Sequence, residues 1–143
     1  MGSDLVIGYG NTLRGDDGLG QEAAAAVTAW ERPGLSAIAC HQLGPELASA
    51  VSTAQRVVFV DAAAGGYGPV RVSPLEPEGE GGVMTHAADP RSLLCLAKVL
   101  FGRCPPAWWV TVPVGDFEYR QGLSAAAREG LSEALARGWE ILS

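Results

Sequence analysis

The chain has 143 residues, 48% of them hydrophobic and 18% charged, with a formal net charge of −6. That length and apolar fraction predict one globular domain over residues 1–143 with a sizeable core, and they exclude a disordered chain. The acidic balance excludes the clustered basic face that nucleic-acid binding requires.

LVIGYG (5–10) predicts a buried strand, closed by a glycine-rich turn. QEAAAAVTAWE (21–31) is rich in Ala, the best helix former, and predicts a helix stopped by Pro33-Gly34. LSAIACH (35–41) predicts a second strand, and PELASAVSTA (45–54) a short helix opened by Pro45. RVVFVDAA (56–63) is the clearest strand, apolar and mostly β-branched. Residues 64–82 are loop-like, with one candidate strand at VRVSPL (70–75), and EPEGEGGVMTH (76–86) has little to bury.

PRSLLCLAKVLF (90–101) predicts a third helix, capped by Asp89, started by Pro90 and closed by Gly102. AWWVTVPV (107–114) predicts a strand whose Trp108 and Trp109 point to opposite faces, one into the core and the other onto a contact surface. The last helix (124–142) starts at Ser124, with Leu131, Leu135, Trp139 and Leu142 on one face and Glu133 paired with Arg137 on another. This strand–helix alternation predicts an α/β sandwich with a mainly parallel sheet covered on both faces.

Cys40, Cys95 and Cys104 form no CxxC and predict small buried thiols in a reducing compartment. Cys40 and His41 are strand neighbours, so they face opposite ways and do not make a dyad. No apolar run approaches the ~20 residues of a transmembrane helix. No signal peptide is evident either, so a cytoplasmic protein without membrane contact is expected.

The segment GYGNTLRGDDGLG (8–20) carries the strongest chemical signal. It fails the dinucleotide fingerprint, because Leu13 stands where the third glycine belongs. Gly10 and Gly15 have the spacing of a P-loop, but Asp16 and Asp17 replace its Lys and Ser/Thr. Two carboxylates repel phosphate and suit a cation. Asp61 ends the strand RVVFV and lies at the carboxyl edge of the sheet. With a 2-1-3 strand order, strands one and three flank the switch-point crevice, which brings Asp17 and Asp61 together. His86, in THAADP before the third helix, completes a nitrogen/oxygen set of metal-ligand type. Each residue also has a plain structural role open to it: a turn or cap for Asp16 and Asp17, a strand-end turn for Asp61, and a solvated loop for His86.

GNTLRGDDGLG, HQLGPELA, VVFVDAA, the histidine before an apolar helix and the tail VPVGDFEYRQGLSAAAREGLSEAL occur in that order. Together they resemble the hydrogenase maturation protease family over nearly the whole chain. The resemblance implies a three-layer α/β/α sandwich with a mostly parallel five-stranded mixed sheet, for whose antiparallel strand VRVSPL is the candidate. It implies an endopeptidase that removes the C-terminal extension of a nickel-loaded nickel–iron hydrogenase large-subunit precursor. The family's metal-contacting trio maps to Asp17, Asp61 and His86, the expected catalytic and nickel-recognising residues; some members carry Glu where Asp17 stands. The family register makes Asp17 the ligand and Asp16 its support.

On this reading nickel is supplied by the substrate, and no tightly bound cofactor of the protein's own is expected. A monomer is expected. Nickel as recognition element, nickel as Lewis acid and an Asp acting as general base all remain open. The competing readings are a nickel-sensing or escort module without peptidase activity, and a small-molecule enzyme of flavodoxin-like shape.

Overall fold

The computed structural model describes residues 3–77 and 89–143. His86 and most of the 76–86 segment therefore lie outside the described residues. The chain forms a five-stranded sheet in the order β2-β1-β3-β5-β4. The strands are β1 (Asp4–Tyr9), β2 (Leu35–Cys40), β3 (Arg56–Ala64), β4 (Arg71–Leu75) and β5 (Ala107–Val114). The first three and β5 are parallel, while β4 runs antiparallel beside β5. The antiparallel strand is the one expected from VRVSPL.

Helices cover both faces. Val6, Val58, Val60, Val110 and Val112 pack under α1 (Leu19–Ala29) and α4 (Ala125–Ile141). The alternate residues Leu5, Ile7, Tyr9, Val57 and Phe59 pack under α2 (Ala48–Thr53) and α3 (Pro90–Phe101). Period-2 alternation thus feeds two cores, and the central strands read as continuous apolar runs for that reason. The caps of α3 form as expected. Asp89 accepts from Arg91 N–H at 2.8 Å, and Gly102 closes the helix with φ 78°.

Several local expectations are corrected. Helix α1 begins at Leu19, directly after a 3-10 turn (Gly15–Gly18), so the acidic loop is itself helical. A 3-10 turn (Pro45–Leu47) likewise precedes α2. At α4, Leu142 is buried and Leu131 and Leu135 pack half-buried against the core beside the buried Ala127 and Ala134, as expected, whereas Trp139 is 47% exposed. The helix lies close to the sheet at Gly130, where a Cβ would sit 2.6 Å from Val112. Trp139 instead packs edge-on against Trp30 and under Arg32. Glu133 accepts from Val70 N–H at 3.3 Å rather than pairing with Arg137. Trp108 and Trp109 do face opposite ways, but each is half-buried against its own core, so neither is a free contact surface. Of the cysteines only Cys95 is buried; Cys40 and Cys104 are half-buried, near the sheet's margins. No helix among the described residues is long and apolar enough to cross a membrane.

Candidate functional site at the carboxyl edge of the sheet

In register, β1 matches β3 only as far as Gly8 and Val60. Beyond that row β3 continues to Ala64 beside β5, while the chain after β1 turns into the acidic loop. Two close approaches explain the glycines of that loop. A Cβ on Gly8 would lie 1.8 Å from the Gly20 carbonyl oxygen, and one on Gly10 2.0 Å from that of Asp17. The glycines thus serve to seat the loop tightly on the strand end rather than to cradle phosphate.

Asp17 is half-buried. Its Oδ2 accepts Asn11 N–H at 2.8 Å, and its own N–H donates to Arg14 O at 3.1 Å. Asp61, also half-buried, is the first β3 residue past the last β1 row. Its carboxyl is pushed up to about 6 by burial, reinforced by the negative charge of Asp17; the Tyr9 hydroxyl and the Ala62 N–H oppose the shift. The structure therefore brings Asp17 and Asp61 into electrostatic contact across the switch point. No ion pair among the described residues involves either acid. No group of three or more metal-ligating side chains forms among the described residues.

Three residues near this pair were not singled out in the sequence. Tyr9 is 8% exposed and shares a sheet face with Leu5 and Ile7. Its hydroxyl is within hydrogen-bonding reach of Asp61, and its pKa is raised by burial and by the Asp61 charge. The buried indole N–H of Trp109 lies toward the same hydroxyl but has no hydrogen-bond partner among the described residues. Tyr67 and Asp116 enter through Asp16. The signal for Tyr9 was present: it continues the i, i+2 row of β1 and directly precedes the turn. Tyr67 and Asp116 sit in loops that carry no periodic signal.

Asp16 differs sharply from Asp17. It is 0% exposed, and its carboxylate accepts from Tyr67 Oη at 2.7 Å, Ser124 N at 2.8 Å, Ser124 Oγ at 3.0 Å and Asp116 N at 3.3 Å. Its N–H donates to Asp116 O at 2.7 Å, and Gly15 N–H to Arg120 O at 2.8 Å. The acidic loop is thereby zipped to the segment after β5.

A groove of about 410 Å³ runs beside the strand ends, lined by Ala63, Gly65, Tyr67, Arg71, Thr111 and Pro113 among others. Thr111 shares the register row of Asp61, and Ala63 lies two residues further along β3. The chemistry available is that of two electrostatically coupled carboxylates at the strand ends, with a groove nearby.

No family model matches the chain, and no curated protein matches it. Solved structures do. The hydrogenase maturating endopeptidase HybD from E. coli superposes with a TM-score of 0.77 at 19% identity, covering 98% of this chain and 91% of that one. A hydrogenase 2 maturation peptidase from a Thaumarchaeota archaeon gives 0.74 at 22% identity, covering 99% and 98%. The [NiFe] hydrogenase maturation protease HybD from Thermococcus kodakarensis gives 0.73 at 18% identity, covering 99% of both chains. The fold is that of these hydrogenase maturation proteases. The likeness covers at least 98% of this chain and at least 91% of each of those three.

Proposed function

We propose that this protein is a hydrogenase maturation endopeptidase. It removes the C-terminal extension of a nickel–iron hydrogenase large-subunit precursor once nickel is in place, and it reads that nickel with Asp17, Asp61 and His86. The observation that carries the reading is the facing of Asp17 and Asp61 at the sheet's switch point, in a chain whose whole length shares its fold with proteins named for this activity.

The physical logic favours a substrate-borne metal. Two half-buried carboxylates with no basic partner among the described residues are costly to bring together, and a divalent cation would offset that cost. An incomplete ligand set grips an ion already held by other ligands better than it captures a free one. Cleavage is then conditional on nickel loading, because an empty precursor presents no cation to the pair. Held beside the groove, the scissile peptide could be attacked by a water that nickel polarises or that Asp61 deprotonates; a carboxyl raised to about 6 suits a general base near neutral pH.

The test is to incubate the purified protein with a nickel-loaded precursor and to weigh the precursor afterwards. Loss of a C-terminal fragment is the expected result. Stable complex formation without mass loss would make the protein an escort module instead.

A further inference from the structure

Asp16 is a charged residue with no exposure, and burial of a carboxylate is costly unless donors surround it. Here they do, and they come from three separate places in the chain. Tyr67 lies on the loop that follows β3, the strand of Asp61; Asp116 follows β5; and Ser124 is the N-cap of α4, where its Oγ also accepts Ala127 N–H at 3.1 Å. The Tyr67 hydroxyl closes the cage, touching both Asp16 at 2.7 Å and Ser124 Oγ at 3.0 Å. Its ring passes over Gly115, where a Cβ would stand 3.2 Å from Tyr67 Cε2. A core needing only stability is served as well or better by apolar residues; a fully bonded buried charge fixes one arrangement. By contrast, the hydrogen bonds of Asp17 are local to its own loop and move with it.

We infer that Asp16, Tyr67 and Ser124 are positioning residues that fix the Asp17 carboxylate across from Asp61. The inference rests on the reading of Asp17 and Asp61 as the cation-reading pair. Asp16 anchors the 3-10 turn that presents Asp17, and Tyr67 links that anchor to the strand end that presents Asp61. Loosening the cage therefore widens the distribution of distances between the two acids without removing either one.

The full-length chain is compared with Tyr67→Phe, Asp16→Asn, Ser124→Ala, Ser124→Thr and Asp17→Asn. Three quantities are read: the thermal midpoint, the affinity for cadmium by calorimetry, and kcat and KM on nickel-loaded precursor. Tyr67 is 49% exposed, so its phenylalanine variant keeps the fold. Tyr67→Phe and Ser124→Ala are expected to lose about tenfold in cadmium affinity and in kcat with KM little changed, the scale of one hydrogen bond to a charged group. Ser124→Thr, which keeps the hydroxyl, is expected to behave as the parent. If Asp16→Asn does not fold, Tyr67→Phe and the Ser124 pair decide. Lower midpoints with unchanged cadmium affinity and kcat would overturn the positioning role and leave the cage merely structural. Normal cadmium binding and cleavage by Asp17→Asn would overturn the underlying reading instead, whatever the cage variants do.

Discussion

At the amino edge of the sheet, Asp4 is 7% exposed and meets Arg56 in a two-pronged pair, at 3.0 Å from Nε and 2.7 Å from the far guanidinium nitrogen. The same guanidinium donates to Ile141 O at 3.1 Å and Leu142 O at 3.3 Å, tying down the end of α4. At the carboxyl edge, Asp61 is half-buried, and its charged neighbour is another acid. One strand-end carboxylate is completed within the fold; the other is held beside a like charge. The difference separates an acid that the fold satisfies from one that it leaves beside a like charge, in the pair proposed to read a cation. The sign of the nearest charge is what separates Asp4 from Asp61.

The largest effects should come from neutralising the carboxyl edge. Asp17→Asn and Asp61→Asn are each expected to lower precursor cleavage by about a hundredfold or more. Asp61→Asn should at the same time raise the thermal midpoint at pH 7. The sign follows from the direction of its shift. A folded-state pKa raised from 3.8 to about 6 means that the folded chain holds its proton longer. Stability from this group is therefore full below about pH 4 and is lost as pH rises through about 6. The Asn variant should remove that slope, gaining nothing at pH 4; a lower midpoint at pH 7 would mean that the Asp61 charge is satisfied after all.

The amino edge should respond in the opposite sense. Arg56→Ala strands the Asp4 carboxylate and two C-terminal carbonyls, so a loss of about 2 kcal/mol is expected in denaturant unfolding. Cleavage per folded molecule should not change; a parallel fall in kcat would show that the two edges are coupled.

Much of this contrast was legible in the sequence. β-branched runs marked the central strands, and Asp61 at the end of RVVFV followed from the run itself. The acidic pair Asp16 and Asp17 followed from the failure of GYGNTLRGDDGLG to fit any phosphate loop, whereas the choice of Asp17 within it rested on the family resemblance. What was not legible depends on partners distant in the chain. Tyr67 and Asp116 reach Asp16 from loops with no period to read. On α4, Leu131, Leu135 and Leu142 pack against the core as their spacing implies, but Trp139 goes to Trp30 and Arg32, partners more than a hundred residues away that no helical wheel contains.

Smaller effects sharpen the same picture. Asp89→Ala removes the α3 N-cap bond to Arg91 N–H and should cost about 1 kcal/mol in thermal unfolding, with cadmium affinity unchanged. Tyr9→Phe deletes a hydroxyl that favours the ionised form of Asp61. The acidic limb of the cleavage–pH profile should therefore move upward by a fraction of a unit, and a shift downward would contradict the assigned hydrogen bond.

The most direct measurement is a carboxyl-carbon NMR titration of Asp61, with and without cadmium. Its midpoint should lie near 6 in the free protein, fall when Asp17 is changed to Asn, and fall further when cadmium is added. A midpoint near 4 that neither Asp17→Asn nor cadmium moves would contradict the account, because the two acids would then neither feel one another nor share a cation.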